Sequence, residues 1–242
     1  MKSLFSILLL MCIFICPKIG HSWEGEFPVE HDSNIHLPPD PTTIRKDIPE
    51  PYASLAHLPL NMGTSVFRKA NQDNLAMFIK TYKPKTIIEL GAFLGVSAIF
   101  MAEMMPSDGK LYAIDNWSWH GLPYYSDGNL ENVGHKAVKT YEQFLSNVKY
   151  YDLTQIIIPI YLDTIEAANK LNVIADLIYV DADHSENAVY NDIMHWYPKL
   201  SKNGIICGDD WGYESVRLAV TRAASELGKE IKTDHNFWYF VF

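Results

Sequence analysis

The sequence predicts an α/β domain: a mostly parallel sheet with helices on both faces. Three observations predict it. Short apolar, β-branched runs alternate with segments of helical period over most of the chain. Four of those runs end in acids: Glu89, Asp115, Asp181, and Asp209 with Asp210. The chain has 242 residues, 48% hydrophobic and 20% charged, which is ordinary for one main globular domain and excludes a disordered, collagenous or multi-span membrane protein.

The first element lies outside that domain. Met1-Lys2-Ser3 precedes a run from Leu4 to Cys16 in which Ser6 alone is polar, and a small-x-small step follows at Gly20 and Ser22. Residues 1–22 read as a secretory signal peptide, or as an N-terminal anchor if uncleaved. The run is short of the ~20 apolar residues that a spanning helix needs. The chain is therefore expected to be exported. Cleavage would leave Cys207 as the one cysteine, so no internal disulfide is expected. Residues 23–63 hold seven of the thirteen prolines and read as an extended arm. His31, His36 and His57 within it follow no metal-ligand spacing. Residues 64–242 form the main domain.

Leu75, Phe78, Ile79 and Tyr82 mark a helix closed by Lys83-Pro84. Thr86–Leu90 reads as a buried strand ending at Gly91, and Val96–Met105 as the helix after it. Leu111–Asp115 is a second strand, followed by a helix marked by Ala137, Val138, Tyr141, Phe144, Leu145 and Val148. Gln155–Ile160 is a third strand, Thr164–Leu171 a short helix and Leu177–Asp181 a fourth strand. Val189, Ile193, Trp196 and Leu200 share one helical face. Gly204–Gly208, a helix over Glu214–Leu227 and a strand over Phe237–Phe242 complete the chain.

In such a sheet, ligands bind beyond the carboxyl ends of the strands. Acids placed at random would scatter along the helices; these converge on one edge. Gly91 and Gly95 permit a tight strand-to-helix turn and close approach of a ligand to backbone. A dinucleotide fingerprint would need a third glycine where Phe93 stands, which disfavours a nicotinamide oxidoreductase. Asp115 stands where nucleoside-binding sheets place the acid that accepts ribose hydroxyls. Asp181, Asp209 and Asp210 would repel one another unless a hard divalent cation such as Mg²⁺ lay among them. His184 stands at the mouth of the same site, as a general base would. Each feature alone has a plain structural reading, as a loop corner, a solvated acid or a packed histidine. Their joint placement favours the functional one. Asn116–Gly134, with Trp117, Trp119, His120, Tyr124 and Tyr125, reads either as a lid or as a surface loop pinned by tryptophan. Trp211 and Tyr213 flank the acid pair as a second wall.

From Lys83 to Trp211 the chain resembles class I S-adenosylmethionine-dependent methyltransferases, and among them the metal-dependent small-molecule O-methyltransferases. The stretch from Glu89 to Ser97 is similar to the cofactor motif of catechol O-methyltransferases. Asp181, His184 and the Asp209–Asp210 pair are more like the sugar-directed branch that includes macrolide O-methyltransferases. The resemblance implies a Rossmann-like, seven-stranded sheet. It implies that Glu89, Gly91, Gly95 and Ser97 serve the cofactor's methionine end, Asp115 its ribose, and Thr164 its adenine. Asp181, Asp209 and Asp210 would hold the metal, with Asp183 an alternative to Asp181, and His184 would be the base. Tyr161 and Leu162 depart from the glycine usual before the adenine-side residue.

The implied function is Mg²⁺-dependent methyl transfer from S-adenosylmethionine to a small hydroxyl compound, sugar-like or phenolic. The formal net charge of −9 argues against a nucleic-acid partner. No membrane contact is expected beyond the N-terminal segment, and a homo-oligomer is compatible with the reading. The rival is a secreted, non-catalytic cofactor-binding protein on the same fold. Export gives that rival force, because the donor is made in the cytosol.

Overall fold

The computed structural model describes residues 48–55, 58–63, 67–118 and 137–241. The signal segment, the arm up to residue 47, His57, and Trp119, His120, Tyr124 and Tyr125 lie outside them.

Seven strands form one sheet in the order β3-β2-β1-β4-β5-β7-β6. They are β1 (Thr86–Leu90), β2 (Lys110–Asp115), β3 (Ile157–Tyr161), β4 (Ala175–Val180), β5 (Leu200–Gly208), β6 (Ile231–Asp234) and β7 (Phe237–Phe240). The first five pair in parallel, and β7 is antiparallel to both β5 and β6. Among the described residues six α-helices accompany them: α1 (Lys69–Tyr82), α2 (Val96–Met104), α3 (Ala137–Tyr150), α4 (Thr164–Lys170), α5 (Glu186–Trp196) and α6 (Glu214–Leu227). The expected mostly parallel, Rossmann-like sheet is the observed one.

Strand alternation sorts the core into two layers. Ile87, Leu111, Leu177, Tyr179, Ile205 and Cys207 pack with α1, α2 and α3. Ile88, Leu90, Ile178, Val180 and Ile206 pack with α4, α5 and α6. Glu89 shares the parity of Ile87, so a carboxylate sits in the first layer, fully buried. β1 lies between β2 and β4, so strand order reverses beside it and its carboxyl end faces the crevice where such sheets bind ligands.

Three readings of the sequence need correction. Leu200 does not continue the helical face of α5 but opens β5, opposite Ala175. Pro198 has no N–H to continue the helical ladder, and the chain leaves α5 through a single 3-10 turn, Tyr197–Lys199. The sequence pattern also gave no strand at β6, whose last three residues are exposed and lack alternation. It forms an edge by pairing with β7 across a two-residue turn in which His235 has φ +54°. β3 begins at Ile157, two residues later than expected.

Part of the arm lies on α3. Tyr52 is 1% exposed and donates its hydroxyl to the Ile157 carbonyl at 2.9 Å. Ser146 exchanges hydrogen bonds with both backbone groups of Leu58. Asn147, fully buried, binds both backbone groups of Asn61 and also donates to the Leu94 carbonyl at 2.9 Å. One amide thus ties the arm to the turn after β1.

Candidate active site

The strand tips are held in register past their ends. Gly91 N–H donates to the Ile114 carbonyl, Asp181 N–H to Leu90, and Asp209 N–H to Val180. Backbone pairing therefore fixes where the acids begin. At Gly91, φ is +89°, and a Cβ would stand 2.1 Å from the Asp181 carbonyl oxygen. No side chain fits there, and the turn passes directly against the tip of β4.

Asp115 braces that turn. Its Oδ2 accepts the Phe93 N–H at 2.8 Å and its Oδ1 the Trp117 N–H at 2.6 Å. The Trp117 indole donates to the Phe93 carbonyl at 2.7 Å, closing the loop. Phe93 and Trp117 both have φ of +43°, a strained conformation that these bonds hold. Trp117 is buried and stacks on Tyr161 with centroids 5.5 Å apart. At this residue the loop is pinned by tryptophan burial.

Glu89 hydrogen-bonds through Oε1 to the Ser97 hydroxyl on α2. Its Oε2 is buried without a partner among the described residues. Burial pushes the carboxyl up to about 8, the Ser97 bond opposing and the nearby Asp115 adding to the rise. Such a group is stable in ionised form only beside a cation. Gly95 caps α2 at φ +90°.

A second cluster lies at the tips of β4 and β5. Ligand atoms of Asp181, His184 and Asp210 fall within 4.8 Å of one another. His184 Nε2 stands 2.8 Å from Asp210 Oδ2. Asp209 faces elsewhere: its Oδ1 accepts the Asp210 N–H at 2.5 Å and its Oδ2 accepts from Arg68 at 3.0 Å. Arg68 also reaches Asp210 Oδ1 at 3.0 Å. Asp183 is exposed and accepts the Ser185 N–H at 2.6 Å in an Asx turn ahead of α5, and Asp181 is the member of the cluster. Asp181 is pushed far above the ordinary carboxylate range by burial and by Asp209, Asp210 and Glu89. Burial works to raise Asp210 too, but its bonds to His184 and Arg68 hold it below that range. The bond to Asp210 raises His184. Tyr213 stacks on the imidazole, centroids 5.4 Å apart. A shallow crevice open to solvent lies among Asp181, Asp183, His184, Asp209 and Asp210.

Thr164 joins neither cluster. Its hydroxyl donates to Asp192 Oδ1 on α5 at 2.5 Å, and Asp163 caps α4. Sequence reasoning missed Arg68 and Asn71. Both stand at the start of α1 with helical i, i+3 spacing, just before its apolar stripe. Asn71 is fully buried, donates to the Tyr179 hydroxyl at 3.1 Å, and leaves its Oδ1 without a partner among the described residues.

Known proteins place this arrangement. The family described as "Methyltransferase domain" matches residues 88–211, just over half of the chain. The "O-methyltransferase" family matches residues 53–120. A caffeoyl-CoA O-methyltransferase from Stellaria longipes is 30% identical over 142 residues, 57% of this chain and 52% of that protein. The chain spans about half the length of the curated relatives it matches. Among solved structures, the Bacillus cereus O-methyltransferase in complex with SAH aligns with TM-score 0.52 and 14% identity, over 76% of this chain and 84% of that one. TomG from Streptomyces achromogenes, an O-methyltransferase in complex with SAM, aligns with TM-score 0.52 and 12% identity, over 72% and 80%. These two show a shared fold. With β2, β4, the end of β1 and most of both acid clusters inside the matched segment, the chain belongs to the methyltransferase-domain family.

Proposed function

We propose that this chain transfers a methyl group from S-adenosylmethionine to the hydroxyl of a small molecule, sugar-like or phenolic, with a divalent cation at Asp181 and Asp210. The observation that carries the reading is Glu89: a fully buried carboxylate with one oxygen unpartnered, beside a turn too close-packed for any side chain. A donor carrying an ammonium and a sulfonium supplies the cation this pocket lacks. Asp115, fixed by backbone amides of the turn and of the segment after β2, stands at the strand end where a ribose hydroxyl would be accepted.

The second cluster fits a hard divalent ion by its chemistry. Three carboxylates crowd there and a single guanidinium reaches two of them, and the unpartnered Asn71 Oδ1 belongs to the same hydrogen-bonded network. When bound, such an ion lowers the pKa of a hydroxyl beside it. His184 then acts as base. Asp210 engages Nε2 and orients the ring, which leaves Nδ1 to take the proton. Tyr213 keeps the imidazole in one plane at the mouth. Holding donor and acceptor on adjacent strand tips supplies proximity. Mg²⁺ is the proposed ion, a sugar-like or phenolic hydroxyl the proposed acceptor, and the proposed export through residues 1–22 rests on the sequence.

Labelled S-adenosylmethionine, screened against sugars and phenols with and without EDTA, tests this. Methylation that EDTA abolishes is expected. Methylation that survives EDTA removes the ion from the account. Donor binding with no transfer to any acceptor favours the non-catalytic alternative.

A further inference from the structure

We propose that Arg68 is a latch on the acid cluster, a resident guanidinium that a divalent cation must displace from Asp210 before it can bind. The inference rests on the metal reading of this cluster. Both oxygens of Asp210 are in use: Oδ1 accepts from Arg68 Nη1 at 3.0 Å, and Oδ2 lies 2.8 Å from His184 Nε2. An ion at Asp181 and Asp210 needs one of those oxygens, and would then stand beside a like charge.

Three features mark Arg68 as the partner that yields. Its side chain is 38% exposed, whereas those of Asp209 and Asp210 are 7% and 8% exposed, so in this ion pair the guanidinium, and not the acids, has a path to water. Both of its contacts come from the single nitrogen Nη1, shared between two acids. That is weaker than a two-nitrogen fork on one carboxylate. And Asp210 has φ +60° and donates its N–H to Asp209 Oδ1, while Asp209 is fixed by its own N–H on the Val180 carbonyl and by the Trp238 indole on its carbonyl at 3.0 Å, so the acids are held while the arginine swings. Arg68 therefore offsets part of the cluster's negative charge while no ion is bound and sets the ion concentration at which the site fills.

The test titrates Mn²⁺ into the full chain by electron paramagnetic resonance, in the native protein and in Arg68→Gln, Arg68→Lys and Asp181→Asn. Arg68→Gln should bind Mn²⁺ at least tenfold tighter, Arg68→Lys should stay near the native affinity, and Asp181→Asn should lose binding. In EDTA, Arg68→Gln should melt below the native protein, and saturating Mn²⁺ should raise its melting temperature by more than it raises the native one. That second readout reports even if the variant is fragile. Equal or weaker Mn²⁺ binding in Arg68→Gln, still abolished by Asp181→Asn, overturns the latch and leaves the metal reading standing. Absence of Mn²⁺ binding in every form, with S-adenosylmethionine still bound, overturns both.

Discussion

Replacing Glu89 by glutamine separates the cost of this residue from its use. The carboxyl has an ordinary value of 4.5 and is raised to about 8 in the fold, chiefly by burial. Because the folded value is raised, the penalty is absent below about pH 4.5, where both states hold the proton, and grows as the unfolded chain ionises first. Each pH unit between the two values costs the native state about 1.4 kcal/mol, so at pH 7 the cost is about 3 kcal/mol. Glutamine never ionises. The stability difference between Glu89→Gln and the native chain should therefore move in the variant's favour by about 3–4 kcal/mol from about pH 5 to pH 8. Urea denaturation at several pH values measures it, and taking the difference cancels the cost of burying the new amide. The same variant should bind S-adenosylmethionine more weakly, since it cannot offer charge. Parallel stability–pH curves would refute the reasoning, because Glu89 would then be no buried acid awaiting a cation.

Other outcomes follow from single contacts. Gly91→Ala would place a methyl 2.1 Å from the Asp181 carbonyl at φ +89°, and should cost more than ~3 kcal/mol in denaturant unfolding or prevent soluble expression. Asn147→Leu strands the Asn61 N–H and carbonyl and the Leu94 carbonyl; at ~1 kcal/mol or more each, roughly 3 kcal/mol should be lost, and amides at residues 58–61 should exchange faster by mass spectrometry. Thr164→Val removes the donor to the buried Asp192 and should cost ~1–3 kcal/mol while leaving S-adenosylmethionine affinity unchanged. An affinity loss without a stability loss would return Thr164 to the adenine pocket.

Much of this molecule was legible because its central strands are buried on both faces. Thr86–Leu90 and Leu111–Asp115 read as apolar runs, and an acid ending such a run stands out against them. The parity of Glu89 with Ile87 could be read directly, and it places a charge in a core layer. What escaped was set by tertiary contact. Arg68 lies 141 residues from Asp209, and only the packing of α1 against the sheet brings them together. β6 carries no apolar alternation because its surroundings are solvent and one neighbour. Leu200 fits the helical period of α5, but Pro198 breaks the ladder first. Asp181 and Asp183 look equivalent in sequence, and only the Asx turn at Ser185 separates them.

The central claim is that the turn after β1 takes a cationic methyl donor against a buried carboxylate. Calorimetric titration of S-adenosylmethionine into the full chain tests it most directly. One donor bound per chain, weakened by at least about tenfold in Glu89→Gln, is expected. No binding, or equal binding by the two proteins, would contradict it.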